Sequence, residues 1–238
     1  MSTLTIAEPS SPIRPVASAR HTIILLGIMA SMAVLGARFQ QGGNTAPAIA
    51  SRPNALAVYL PLLISEWAMF LFVWKRGLQP AGTSLREIIG GRWSRATDVV
   101  RDVVLAVALW GVWAGFLYVS PRLFGANHAR SIDGFLPTGL VEGALWVLLS
   151  CSAGFVEEVV YRGYLQRQFA AWTGSVPLAL VLQSLVFGVS HGYQGVIACV
   201  NITVFALLFG SIAMWRRSLR PGMMAHALTD VLAGLFRL

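Results

Sequence analysis

Residues 157–162, Glu157-Glu158-Val159-Val160-Tyr161-Arg162, set two adjacent carboxylates and a guanidinium directly after an apolar run, Leu140 to Val156, whose one charge is Glu142. An ionisable side chain at bilayer depth costs about 2.5–3.5 kcal/mol even on lenient insertion scales, so such groups are read as functional by default. Two histidines follow in equally apolar surroundings. His191 closes Phe187-Gly188-Val189-Ser190-His191, and His226 opens His226-Ala227-Leu228-Thr229-Asp230. A carboxylate to take a proton from water, an imidazole to position that water and a hydrogen-bond donor to meet a developing oxyanion are the parts that amide hydrolysis needs.

Each feature also has a plainer reading. On a continuous helix Glu158 and Arg162 are four residues apart and neutralise each other as an ion pair, leaving Glu157 to face elsewhere. The carboxylates could mark a helix end at the headgroups. His191 could meet a helix C-terminal dipole before Gly192-Tyr193-Gln194-Gly195. His226, a turn after the helix start Arg220-Pro221-Gly222, could be held in one tautomer by Asp230. All of these must hold together on separate helices, in a half of the chain that is otherwise almost uncharged. A single convergent site explains them with one cause.

The elements that position these groups are spanning helices. Of 238 residues, 56% are hydrophobic and 12% charged, about half the charged share of an ordinary soluble domain. The apolar residues fall in runs at about 22–37, 56–74, 99–119, 140–161, 176–191, 195–215 and 222–237. Several reach the roughly 20 residues that cross a bilayer as a helix. The expected fold is all-α: a polytopic membrane protein of about seven transmembrane helices with a four-helix catalytic core. Residues 1–20, with Pro9, Pro12 and Pro15, form an expected disordered tail. Residues 21–139 hold N-terminal helices and a basic cytoplasmic connection, and 140–238 the catalytic core. The first helix is expected to stay uncleaved, because Leu35 stands where a signal-peptidase site after Ala37 needs a small residue.

The net charge of +8 comes from 18 basic residues, of which one, Lys75, is lysine. They lie between apolar runs, where they set orientation and meet anionic lipid, so nucleic acid is excluded as a partner and the bilayer is expected. With the N-terminus inside, thirteen basic residues, from Arg14 to Arg220 and including Arg162, face the cytoplasm, and five (Arg38, Arg52, Arg122, Arg130, Arg237) face out. Within the longest inner connection, Leu85, Ile88, Ile89 and Trp93 suit either a short interfacial helix or a solvated loop. Cys151 and Cys199 are expected as packing thiols. Asn201 is expected to join helices, Glu66 to line the cavity or pair with an arginine, and His21 and His128 to have no special role.

In their order along the chain, Glu157-Glu158-x-x-x-Arg162, Phe187-x-x-x-His191 and His226-x-x-x-Asp230 resemble the motifs of the CAAX-processing and bacteriocin-processing (CPBP, or Abi) intramembrane endopeptidases. The resemblance covers about residues 140–238. It implies a peptide-bond hydrolase in which Glu157 and His191 polarise a water, His226 and Asp230 face the oxyanion, and Glu158 with Arg162 support them. Asp230 stands where eukaryotic-type members more often carry Asn. Since a carboxylate cannot donate, it needs a proton or acts by orienting His226. The resemblance also implies a peptide or membrane-protein substrate and, for so arginine-rich a chain, a bacterial inner membrane. It leaves the oligomeric state open.

No cofactor is required by this reading. If zinc were used, its ligands would be Glu157, His191 and His226, although none of these lies in His-Glu-x-x-His spacing. Three rivals compete. Gly188-Val189-Ser190-His191-Gly192 fits the serine nucleophile elbow, but it ends a helix instead of joining strand to helix, and Ser190 would need His226 as partner. A catalytically silent scaffold or bacteriocin-immunity-type protein would not need all three of Glu157, His191 and His226. A proton-relay transporter should show inverted repeats and paired broken helices, which this chain lacks. One geometric difficulty stands. A helix from Leu140 puts Glu157 near its cytoplasmic end, while His191 lies about 22 Å from that face. The expected solution is a helix that begins nearer Leu145 and runs past Arg162.

Overall fold

The computed structural model describes residues 14–43, 54–124 and 135–236. The tail before residue 14, Arg52, His128, Arg130 and Arg237 lie outside the described residues. Within them, regular structure is helical, apart from one isolated bridge between Gly90 and Ser218. The helices are α1 (Ala19–Gly43), α2 (Ala55–Leu71), α3 (Leu85–Ile89), α4 (Ala96–Phe124), α5 (Leu140–Glu157), α6 (Gln166–Thr173), α7 (Val176–Ser190), α8 (Val196–Arg216) and α9 (Arg220–Phe236). π-helical stretches continue α2 through Phe72–Leu78 and join α5 to α6 through Glu158–Leu165.

The seven apolar runs are thus seven helical rods. Five are long and apolar enough to cross a bilayer: Ala19–Arg38, Ala55–Leu78, Ala96–Phe124, Leu140–Thr173 and Val196–Arg216. The other two, α7 and α9, have 15 and 17 residues. Polarity is distributed as lipid demands. Gln168, Gln183, Asn201, Glu158 and Arg162 are buried, while Ile64, Val104 and Val189 are each 60% or more exposed. With no water in the hydrocarbon core, polar side chains gain by facing one another, as Ser120 does in donating to Asn201 at 2.8 Å between α4 and α8. The chain is an integral membrane protein.

Three of the expected inner charges, Arg167, Arg216 and Arg220, meet at one end of the rods. Arg216 pairs with Asp102 of α4 at 2.8 Å, Arg167 donates to the carbonyls of Glu87 and Ile88, and Arg220 donates to that of Gly90. Arg162 does not belong to this end. Its side chain has no exposure and pairs with Glu158 inside the protein, so it is not a headgroup charge. The inner connection forms a short helix, α3, but docks on protein: Ile88 is fully buried and the Trp93 indole donates to Asp102 at 2.9 Å. Val16 and Ala17, within the segment expected as a tail, are buried. The backbone N–H groups of Val16 and Ala17 both donate to the Gln168 side-chain oxygen, at 3.0 and 3.2 Å, satisfying an amide that has no water to turn to.

The fourth rod begins at Leu140, not near Leu145, and it does run past Arg162, covering 34 residues to Thr173. That extension brings Glu157 and His191 to one level. The rod turns at Gly174, whose left-handed backbone (φ 66°) favours glycine, and Ser175 then caps α7 by accepting from Leu178 N. Counting from this turn, Glu157 lies about 24 Å back along one rod, and His191 about 24 Å forward along the other. α5 also packs closely on α9, because a Cβ on Gly154 would come within 2.8 Å of Ala227 N and Met223 O.

Candidate active site

His226 is the hub of the site. It lies in the second turn of α9, and its side chain points at the junction of α5 with the π-helical stretch. Its Nδ1 is 3.1 Å from Glu158 Oε1, and its Nε2 is 3.6 Å from both Glu157 Oε2 and Asp230 Oδ2. Both ring nitrogens therefore face carboxylate oxygens, an arrangement that a doubly protonated imidazolium satisfies with two donors. Asp230 reaches the ring from one helical turn further along α9, and its own carbonyl accepts from the Trp146 indole of α5 at 2.8 Å. That bond fixes the distance between the two helices at the level of the site.

Glu158 is the inner carboxylate. It is fully buried, with Arg162 Nη1 at 3.3 Å from the same Oε1 that meets His226. Gly222 makes room for it, since a Cβ there would lie 3.0 Å from Glu158 Oε2. The Arg162 guanidinium sits 4.3 Å over the Phe187 ring, with Phe205 and Phe209 at 5.7 and 6.0 Å. These ring faces attract a desolvated cation. Glu157 behaves differently from its neighbour, keeping 17% exposure against none for Glu158. The pairing of Glu158 with Arg162, and the freedom of Glu157, are as the four-residue spacing predicts.

His191 joins the site from α7 without touching the carboxylates. Its Nδ1 lies 2.9 Å from the Phe187 carbonyl, which can only accept, so Nδ1 carries the hydrogen and the lone pair of the neutral ring is on Nε2. The Phe187 ring separates the two histidines, with centroid distances of 4.7 Å to His191 and 6.2 Å to His226. Ser190 is occupied elsewhere. Its hydroxyl donates to the Val186 carbonyl at 2.8 Å and accepts from the Tyr161 hydroxyl at 3.1 Å, so the pair with His226 that a serine mechanism requires is not formed.

Of the residues the sequence offers as zinc ligands, His226 Nε2 lies 3.6 Å from Glu157 Oε2, while His191 Nδ1 is bonded to the Phe187 carbonyl. Among the described residues, no group of three or more His, Cys, Asp or Glu side chains is arranged to hold a metal ion.

The sequence left one participant undecided. Glu66, on α2, has Ser152 of α5 as its partner, through a 2.7 Å hydrogen bond, instead of an arginine. It interacts electrostatically with Glu157, Asp230 and His226. The signal available beforehand was a lone acid in the middle of a spanning run.

Neither the curated proteins nor the solved structures contain a match to the chain. Residues 141–232, the segment that carries Glu157, Glu158, Arg162, His191, His226 and Asp230, match the model of the family described as Rce1-like, type II CAAX prenyl endopeptidase Rce1-like.

Proposed function

We propose that the protein is an intramembrane endopeptidase that hydrolyses a peptide bond through a water activated by Glu157. The observation that carries this reading is the convergence on His226 of Glu157, Glu158 and Asp230, drawn from two rods. Glu157 and Asp230 both keep access from outside, at 17% and 35% exposure, and we assign the general base to Glu157, which reaches the centre from a different helix than His226. Water held between Glu157 and the Nε2 lone pair of His191 would lose its proton to Glu157 as its oxygen attacks the scissile carbonyl. The proton then passes from Glu157 to the departing amine nitrogen as the C–N bond breaks.

Charge develops on the former carbonyl oxygen in between. At 3.6 Å, Nε2 of His226 is near two carboxylates but beyond ordinary hydrogen-bond length of either, which leaves its N–H free to donate to that oxygen. Asp230 would then act by keeping the imidazole charged and oriented, a role open to a carboxylate that cannot itself donate. Glu158 and Arg162 hold the other side of the ring.

The substrates in this reading are peptides or membrane proteins, and the setting is a bacterial inner membrane with the N-terminus cytoplasmic, supported by the gathering of basic side chains at one end of the rods. Purified protein, incubated with a library of apolar peptides, tests it. The wild type should cleave members of the library, and Glu157→Gln should lose about 10²–10⁴-fold in rate while remaining folded. Full activity in Glu157→Gln would overturn the assignment.

A further inference from the structure

The connection that contains α3 and the turn between α8 and α9 are joined into one surface at one end of the rods. Gly90 bridges Ser218, Leu219 N donates to the Ile89 carbonyl at 2.8 Å, and Arg220 Nη1 donates to the Gly90 carbonyl at 2.5 Å. Asp102, which is buried, closes this frame by accepting from the Trp93 indole and from Arg216 Nε, each at 2.9 Å. The Arg220 guanidinium also lies over the Trp93 ring, at 5.2 Å. Two segments far apart in sequence are therefore held side by side.

The charges on this surface do not balance. Residues 85–102 and 216–220 carry seven arginines against Glu87, Asp98 and Asp102. Arg101 answers Asp98, and Arg216 answers Asp102. Arg92, Arg95 and Arg217 are exposed and form no ion pair among the described residues. Contacts beside them bring the three together. Gly91, next to Arg92, lies against Ser218, next to Arg217, since a Cβ on Gly91 would come 3.2 Å from Ser218 Oγ. Asp98 holds the Arg95 backbone, accepting from its N–H at 3.2 Å. Arg217 has a left-handed backbone (φ 51°), alone among the described non-glycine residues. It closes α8 at a position where glycine would be less strained, so the chain keeps a cation there against its backbone preference. Trp93 and Trp215, 46% and 70% exposed, flank these arginines. Exposed tryptophan marks the headgroup level of a bilayer, which is the depth of lipid phosphate.

We propose that Arg92, Arg95 and Arg217, mounted on the frame of the Gly90–Ser218 bridge and Asp102, bind the phosphate of an anionic phospholipid headgroup. A guanidinium fork meets phosphate oxygens through paired hydrogen bonds. The surplus of positive charge selects a lipid of net negative charge over a zwitterionic one. The site shares no residue with the centre at His226, so it stands whether or not the chain cleaves peptides.

The test places the full-length protein in mixed micelles of phosphatidylcholine and raises the mole fraction of phosphatidylglycerol. Thermal unfolding gives the apparent affinity, because a lipid bound by the folded protein raises the unfolding temperature as it is added. Native mass spectrometry reads the lipid retained. The wild type should show the rise and retain phosphatidylglycerol in preference to phosphatidylcholine. Arg217→Gly should weaken the affinity about fivefold, and the triple variant Arg92→Gln, Arg95→Gln, Arg217→Gly on the order of 100-fold. Without anionic lipid, Arg217→Gly should unfold no lower than the wild type, because glycine relieves the left-handed backbone. Unfolding below it would mean that Arg217 serves the fold, and would overturn the proposal. A control triple of the exposed Lys75→Gln, Arg76→Gln and Arg122→Gln removes the same charge elsewhere and should keep the wild-type affinity. Equal losses in the control would reduce the effect to general charge attraction and overturn the site, as would a wild-type response in the first triple variant. Inorganic phosphate should not replace the lipid; an equal rise with phosphate alone would make the ligand a free anion and refute the lipid assignment. Should the triple variant not fold, Arg217→Gly decides alone, and wild-type affinity in it refutes the proposal.

Discussion

Replacing Glu158 by Gln removes the charge that answers the buried guanidinium of Arg162 while keeping the side chain's volume. In the wild type both side chains have no exposure, and one oxygen, Oε1, meets Arg162 at 3.3 Å and His226 at 3.1 Å. After the change Arg162 keeps its contacts with the rings of Phe187, Phe205 and Phe209. Those contacts are present in both proteins, so they do not offset the loss. Breaking a buried pair from one side costs about 3–5 kcal/mol, most of it the penalty of an uncompensated charge. That is a large part of the ~5–15 kcal/mol by which folded proteins exceed their unfolded states. Glu158→Gln should therefore lower folded yield and shift thermal unfolding in detergent down by on the order of 10 °C. The double variant Glu158→Gln with Arg162→Met removes the stranded cation. Since apolar replacement of a whole buried pair is often neutral, it should recover most of the stability without recovering activity. Wild-type unfolding in Glu158→Gln, or additive losses in the double variant, would refute this account of the pair.

Three further outcomes are expected. A topology reporter fused after Arg237 should read as periplasmic and one in the Arg86–Arg95 connection as cytoplasmic; finding both on one side would contradict seven crossings. After metal-free purification, 1,10-phenanthroline should leave peptide cleavage largely intact, whereas loss on chelation with recovery on added zinc would make Glu157, His191 and His226 candidate ligands. Ser190→Ala should keep most activity, because its hydroxyl bonds the Val186 carbonyl and Tyr161; an inactive Ser190→Ala beside an active Glu157→Gln would make the serine the nucleophile.

Much of the fold was legible because a spanning helix announces itself by length and polarity alone. The seven runs became seven rods, most of their ends displaced by a few residues, and the fourth carried on to Thr173. The pairing of Glu158 with Arg162 was legible for a similar reason, since both partners lie on one rod and local spacing is enough to bring them together. What could not be read was the register between rods. Whether Glu157 and His191 stand at one level depends on how far the fourth rod continues before it turns. The residues after Arg162, ending at Thr173, are amphipathic enough to suit a helix stop at the headgroups as well as a buried helix. The choice is made by tertiary contact: Gln168 finds the backbone of Val16 and Ala17, and Gly163 gives way to Ile88, so the segment is drawn into the protein instead of lying on the bilayer.

The same cause explains why Arg162 was misplaced in the charge count and Glu66 left undecided. Sequence assigns a charge to a connection or to a span from its neighbours along the chain, but at Arg162 the neighbours that matter are three aromatic rings on other helices. At Glu66 they are Ser152, Glu157, His226 and Asp230, none within eighty residues of it. A charge inside a membrane is kept by whatever partner can reach it, and that partner is normally on another helix. An isolated acid in a spanning run therefore shows that a partner exists before it shows which one, and here the partner is Ser152 on α5.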